Sequence, residues 1–463
     1  MINNSIEKSM LGKEISVLLE TFRRLIRRKA NANIKKLLNK THSADLAQLF
    51  RYFNNNEKTF LFNLLQKNNQ ASGELLSELD ESIISDLLLP LEPLEVANIL
   101  RKMGSDDIAD ILNLLDEDKA QLILEKLKNK ESEELEELMS YPDDSAGGLM
   151  SFDVFSLPES TKAIDAITSI QNYKQAEMVF YLYVTDENSH LTGVVSLRDL
   201  VTAPPNSILK SFMEDDVVFV SSDTDQEEVA KLVSKYNLLA IPVIDSNRTL
   251  LGIITVDDVV DVIREEATED FLQMAGIGKD REILMKSTFD NVKLRLPWLF
   301  ASWIGGTIAA YIIGTFEPFL ESMIALAAFI PVIIGMGGNV GTQSSTIIVR
   351  GFATGRLELS KVGIVIWKEM RVGLILGIFY GLLLGIVSMF QFINAPSELG
   401  LVVGLSICVS MIIATSIGTL VPIFLRKLDV DPAIASGPFV TTAIDILGIL
   451  AYFLIAISLM SKI

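Results

Sequence analysis

Between Pro432 and Met460 the only side chain charged at neutral pH is Asp445, midway along a run long enough to cross a bilayer. Placing an ionised carboxylate at the centre of a membrane helix costs about 3 kcal/mol or more, so such acids face a bundle interior, a water-filled path or a cation. The neighbouring residues suit a cation. Gly437-Pro438 breaks a helix and frees backbone carbonyls a turn or two before Asp445, while Thr441 and Thr442 add hydroxyl oxygens. Oxygen without nitrogen or thiolate favours hard ions such as magnesium or calcium over zinc or copper. The alternative role for Asp445 is a structural hydrogen bond to a neighbouring helix. Asp431, followed by Pro432, reads as a helix cap rather than an ion ligand.

The elements that would position these groups follow from the rest of the chain. Its 463 residues exceed one ordinary domain, and the charge is divided unevenly. The first 290 residues hold 30 basic and 51 acidic side chains, a net charge of −21. That balance argues against nucleic acid and anionic lipid surface as partners of the soluble part and for attracting cations. A single cysteine, Cys408, in an apolar segment excludes a disulfide or thiolate metal site within one chain. His42 and His190 read as surface residues. No signal sequence opens the chain, so the N-terminal part is expected in the cytoplasm.

Residues 1–140 place leucine and isoleucine three or four apart between polar breaks, which predicts an all-α domain of short helix pairs in a superhelical array, with stops at Gly73, Pro90, Pro93 and Gly104. A basic helix precedes it, with Arg23, Arg24, Arg27, Arg28 and Lys29. From Tyr141 short strands alternate with helices and the pattern repeats. Leu191-Thr192-Gly193-Val194-Val195-Ser196 matches Leu250-Leu251-Gly252-Ile253-Ile254-Thr255 at an offset of 59, predicting two copies of a small α/β unit, at 141–205 and 206–262. These residues resemble a tandem pair of CBS domains, and the resemblance implies a regulatory module able to take an adenine nucleotide or ion between its copies. A long acidic helix then carries Asp257, Asp258, Asp261, Glu265, Glu266, Glu269 and Asp270 through a connecting region, 263–290. Like charges at that spacing repel, so either solvent and a basic face or divalent cations shared with Asp106, Asp107 and Asp110 must compensate.

Five apolar segments, near 296–316, 322–349, 372–397, 399–425 and 432–461, predict a five-helix transmembrane domain at 291–463. Basic residues gather before the first span, between the second and third, and after the fourth. The positive-inside rule therefore puts the N-terminus in the cytoplasm and the C-terminus outside, in a multi-pass cell-membrane protein surrounded by lipid. Gly373, Gly377, Gly381 and Gly385 form a smooth stripe for a tight helix crossing or a subunit contact. In the second span Asn339 and Gln343, among glycines, either pack and hydrogen-bond or line a water-filled path beside Pro438 and Asp445.

The order of domains resembles the MgtE family of magnesium transporters and channels over essentially the whole chain. The specific residues are Tyr141-Pro142-Asp143-Asp144-Ser145-Ala146-Gly147-Gly148-Leu149-Met150, Gly337-Gly338-Asn339-Val340-Gly341-Thr342-Gln343, and Gly437-Pro438 followed by Thr441 and Asp445. The resemblance implies a homodimer with its pore on the subunit interface and Asp445 of both chains facing a hydrated magnesium ion, helped by carbonyls around Gly437 and Thr441. It also implies regulation. Magnesium bound by Asp106 and Asp110 and by Asp257, Asp258, Asp261, Glu269 and Asp270 would hold the pore closed when the ion is plentiful inside. Because magnesium sheds water reluctantly, a site with few carboxylates can select it through its hydration shell.

The competing reading is a CBS-regulated secondary transporter of divalent cations, cobalt or manganese included, coupled to another ion. It calls for further ionisable relays at membrane depth, and hydropathy shows only Asp445. An enzyme is not expected: no paired acid and base, nucleophile with histidine, or phosphate-cradling Gly-Lys loop occurs.

Overall fold

The computed structural model describes residues 13–66, 68–127, 129–172, 180–277, 287–393, 395–396, 398–428, 430–435 and 437–460. The chain divides into two compact units, Met1–Val260 and Asp261–Ile463.

The first unit opens with helices α1 (Lys13–Arg27), α2 (Asn31–Leu38), α3 (Ser43–Phe50), α4 (Asn55–Leu65), α5 (Asn69–Leu76), α6 (Glu81–Leu88), α7 (Pro93–Leu100), α8 (Ser105–Asn113), α9 (Glu117–Leu124) and α10 (Asn129–Leu138). Most are two turns long and too short to persist alone, so tertiary burial of one apolar stripe must hold them. Ile83, Ile84, Leu87 and Leu88 of α6 and Val96, Ala97, Ile99 and Leu100 of α7 are such stripes. Local chemistry sets the ends. Asn54 and Glu57 form a capping box on α4, and Pro93 opens α7. Lys119 on α9 donates from Nζ to the carbonyls of Leu88, Leu89 and Leu91, at 2.8, 2.8 and 3.0 Å, satisfying the C-terminal end of α6. Gly73 is not the expected stop. It lies inside α5, where a Cβ would come 2.8 Å from Cγ of Met103, so close packing rather than chain termination accounts for it.

After a short helix, α11 (Ala146–Leu149), the two α/β copies follow. The first contains β1 (Ser156–Pro158), α12 (Ala163–Asn172), β2 (Tyr181–Thr185), β3 (Leu191–Ser196) and α13 (Leu197–Thr202). The second contains β4 (Val220–Ser221), α14 (Gln226–Tyr236), β5 (Ala240–Ile244), β6 (Leu250–Thr255) and the start of α15 (Val256–Met274). Each sheet has a parallel pair and an antiparallel pair, in the orders β1-β2-β3 and β4-β5-β6. The repeat extends to register. Tyr181 faces Ser196 as Ala240 faces Thr255, and both hairpins shift register at the same place, between Val184 and Thr185 and between Val243 and Ile244. The hairpin turns meet edge to edge: Leu191 N donates to Arg248 O and Leu250 N to Ser189 O. Asp186 and Asp245 brace the two turns by accepting backbone N–H bonds. His190 adds its Nδ1, 2.9 Å from Asp186 Oδ2, and is half-buried rather than a plain surface residue.

Among its described residues the second unit holds five helices long and apolar enough to cross a membrane, spanning Thr288–Thr315, Ile324–Ala353, Leu359–Gln391, Glu398–Lys427 and Pro438–Met460. Their α-helical parts are α16 (Thr288–Thr315), α18 (Ile330–Ala353), α19 (Val362–Gln391), α20 (Glu398–Lys427) and α21 (Pro438–Met460), with the short α17 (Glu317–Ser322) after the first. The glycine stripe makes a crossing within the chain. A Cβ on Gly377 would come 2.8 Å from Cα of Cys408, one on Gly381 2.4 Å from O of Gly404, and one on Gly385 2.7 Å from O of Gly400, so α19 and α20 touch backbone to backbone.

Three span starts differ from the hydropathy reading, the first of them at Thr288 rather than 296. The third span begins at Leu359 rather than 372, because helical hydrogen bonding continues through Lys368 and Arg371, whose exposed side chains can reach out of an apolar layer. The fifth helix begins at Pro438 rather than 432. Pro432–Ala435 is a separate 3-10 turn, capped where Asp431 Oδ1 accepts from Ala433 N at 2.8 Å, as its cap-like sequence suggested. Of the expected connecting region 263–290, helix α15 covers the part to Met274, and residues 278–286 lie outside the described residues.

Candidate functional site

In the second unit α21 is seated by small residues on its neighbours. A Cβ on Gly305 of α16 would fall 1.8 Å from Cγ2 of Thr442, so Thr442 turns its methyl toward α16. On α18, Cβ atoms on Gly337 and Gly341 would fall 3.1 and 2.0 Å from the Ile444 side chain. These contacts fix Asp445, the next residue. It is half-buried and has no hydrogen-bond or ion-pair partner among the described residues. A structural hydrogen bond, the alternative role considered for it, is therefore not made in this conformation.

The entry to α21 is closely covered. Gly437 O accepts from both N and Oγ1 of Thr441, each at 3.2 Å, and Pro438 O accepts from the same hydroxyl. The Gly437 carbonyl is thus engaged within the helix by Thr441 N, and the one hydroxyl proton of Thr441 is shared between it and Pro438 O. The end of α15 lies on this turn. A Cβ on Gly437 would come 2.6 Å from Met274 O, and one on Gly276, whose φ is +69°, would come 2.9 Å from Cγ of Pro438. Gly437 is needed for close approach and Gly276 for its left-handed backbone.

Asn339 and Gln343 do not pack into the chain. With Gly335, Thr346 and Arg350 they form an exposed stripe along one face of α18, while Gly337, Gly341, Ser344 and Ile348 form its buried face. Two amides on the outside of a membrane helix cannot be left in hydrocarbon without a large penalty. Water or a second protein surface must meet them.

Hydropathy missed Glu369. It is 6% exposed, on α19, and accepts a 2.8 Å hydrogen bond on Oε2 from Oγ of Ser344, itself 3% exposed. Asp445 is therefore not the only ionisable group within the spans. Glu369 and Asp445 each lie seven residues past the start of an α-helix, about 10 Å along its axis. The signal in the sequence was an acid flanked by Lys368 and Arg371, which reads as a loop unless the helix is extended through it.

In the first unit Asp106, in the first turn of α8, is brought near Asp258, in the first turn of α15. Burial, then the Asp258 and Asp107 carboxylates, push the Asp106 carboxyl well above the usual range. Asp258 Oδ2 accepts from Thr255 Oγ1 at 2.5 Å, and the same hydroxyl meets Asp257, which is exposed. Asp110 is also exposed. Contacts around these acids fix the spacing. Ser105 Oγ accepts from Phe152 N at 2.9 Å, and Asn113 donates to Asp143 Oδ1.

Further along α15 and within the second unit, Arg264 pairs with Asp261 at 3.3 Å and Gln273 donates to Glu269 at 2.7 Å, offsetting part of the repulsion. Glu265 and Asp270 are half-buried. Among the described residues no three His, Cys, Asp or Glu side chains gather closely enough to hold one metal ion.

Five spans with an unpartnered acid and an outward amide stripe, joined to a helical domain and a paired α/β module, define a multi-pass membrane protein of the cation-transporter class. Residues 330–455 match the family model described as divalent cation transporter, residues 41–144 the MgtE intracellular N domain, and residues 146–206 and 209–265 the CBS domain. The chain belongs to the MgtE family of magnesium transporters. It is 40% identical over 334 residues to the magnesium transporter MgtE of Bacillus subtilis (strain 168), covering 72% of this chain and 73% of that protein. It is 40% identical over 327 residues to the magnesium transporter MgtE of Thermus thermophilus, covering 70% and 72%. Among solved structures it is similar to the cytosolic domain of the Mg2+ channel MgtE in complex with ATP, at 32% identity and a TM-score of 0.51, over 53% of this chain and 99% of that one.

Proposed function

We propose that two copies of this chain form a pore that carries magnesium across the cytoplasmic membrane, with Asp445 of each copy facing the hydrated ion. The observation that carries this reading is the conjunction of Asp445, unpartnered among the described residues, with the exposed Asn339 and Gln343 stripe. Gly437, Pro438 and Thr441 border the inner end of the path, where their carbonyls become ligands when Thr441 or the end of α15 moves. The N-terminus lies in the cytoplasm and the C-terminus outside.

Cytoplasmic magnesium closes the pore. Burial and then the Asp258 and Asp107 carboxylates raise the Asp106 carboxyl, so a cation there is favourable, with Asp110 and Asp257 in the same unit; in the second unit Asp261, Glu265, Glu269 and Asp270 along α15 are further ligands. Ions binding there screen the repulsion and hold α15 against Gly437. The CBS pair takes an adenine nucleotide, a reading supported by the ATP complex of the similar cytosolic domain.

The test is magnesium uptake in a host without its own importers, comparing wild type with Asp445→Ala at equal membrane expression. Wild-type rescue and loss in the variant support the pore assignment; equal rescue removes it. The second reading, transport coupled to another ion, draws support from Glu369 and predicts that uptake follows a proton or sodium gradient.

A further inference from the structure

Helix α18 carries the amide stripe, and its rotation decides where that stripe points. The contacts on its buried face are mostly smooth. Gly337 and Gly341 receive Ile444, and a Cβ on Gly418 of α20 would fall 2.3 Å from Gly341 O, so glycine backbones meet their neighbours without a directional bond. Ile348 and Phe352 pack with Ile423 and with Val362, Val365 and Ile366, again by apolar contact alone. Thr342 bonds only its own helix, to Gly338 O. Among the described residues, the one side-chain-to-side-chain hydrogen bond joining α18 to another span is Ser344 to Glu369; the second span is tied once more ahead of α18, where Tyr452 Oη of α21 donates to Leu326 O at 2.8 Å. Glu369 has no other partner among them, and α19 is itself fixed to α20 along the glycine crossing.

A buried carboxylate facing a single hydroxyl is a costly way to hold a helix unless direction matters, since apolar residues pack as well without the desolvation. We infer that Glu369 is a positioning residue: through Ser344 it locks the rotation of α18 and thereby aims Asn339 and Gln343 beside Asp445. The inference rests on the proposed ion path for its consequence in transport. Its geometric content stands apart from transport and is tested separately.

Cys408 is the only cysteine, so Cys408→Ala gives a cysteine-free background. In that background Asn339→Cys reports the stripe by its rate of reaction with a water-soluble maleimide in membranes. Ser344→Ala and Glu369→Ala are each expected to change that rate by about tenfold, the scale of one lost buried hydrogen bond, and the double variant by no more than the larger single. Glu369→Gln keeps an oxygen that accepts from Ser344 and is expected to stay within about twofold of the parent. An unchanged rate in the alanine variants, additive effects, or a glutamine variant as altered as the alanine one would overturn the inference. Uptake with Asn339 native adds the transport consequence: Ser344→Ala and Glu369→Ala shift the ratio of magnesium to cobalt uptake, which mere loss of folded protein leaves constant. If Asp445→Ala transports like wild type while the labelling pattern holds, the pore reading fails and the positioning role stands.

Discussion

The carbonyl oxygen of Met274 occupies the space that a side chain on Gly437 would need, 2.6 Å from the Cβ position. The end of the acidic helix therefore rests on the turn that opens the fifth span, and it does so because that residue has no side chain. Replacing Gly437 by valine should push α15 off the turn and weaken closure. Expected is uptake that persists at magnesium concentrations at least about fivefold above those that shut the wild type, a coupling of ordinary allosteric size. Flux measured against internal magnesium checks this, and an unchanged closing concentration would refute it.

Asp106 supplies a test of the acidic surface by pH. Burial and the neighbouring acids raise its carboxyl above the unfolded value of 3.8, so the folded state holds the proton more tightly than the unfolded one. Its contribution to stability is accordingly present in acid and lost as pH rises through the raised value. Without magnesium, Asp106→Asn should therefore unfold at a higher temperature than wild type at neutral pH, and the two should converge toward pH 4. Magnesium should stabilise the wild type more than the variant, through binding to the folded state. Calorimetry of the full chain in detergent, with and without magnesium, decides it; an equal magnesium response would argue against a cation at this acid.

Lys119 tests how the short helices are held. Its three backbone acceptors terminate α6, and methionine at that position keeps the stem but leaves those carbonyls unpaired. A loss of about 1–3 kcal/mol in the helical domain is expected. All three tryptophans, Trp298, Trp303 and Trp367, lie in membrane spans, so fluorescence would miss it. Amide exchange over residues 81–92 should report faster opening in Lys119→Met and little change in the membrane helices.

What could be read from the sequence was whatever follows from periodicity. The offset of 59 between the hairpins carried through to their register and bulges, because alternation of apolar residues fixes which strand face is buried. Five spans followed from apolar length, and the Asp431 cap from Asp-Pro chemistry. Glu369 escaped because hydropathy stops at charges, whereas a helix continues wherever its charged neighbours can reach solvent and one acid can turn inward. The proximity of Asp106 and Asp258, more than 150 positions apart, depends on how helical and α/β modules dock, which no local pattern encodes.

The glycine seam between α19 and α20 has a mechanical side. Backbones in contact at successive turns leave no clearance for sliding or tilting, so these two helices behave as one stiff plank. Widening of any passage must then come from the elements seated on it. Helix α21, seated by side-chain methyls on glycine and bonded from Tyr452 Oη to Leu326 O at the start of the second span, and α18, bonded to α19 through Ser344, can shift together against that plank. The membrane unit thus has a stator built from its third and fourth spans and a rotor built from its second and fifth.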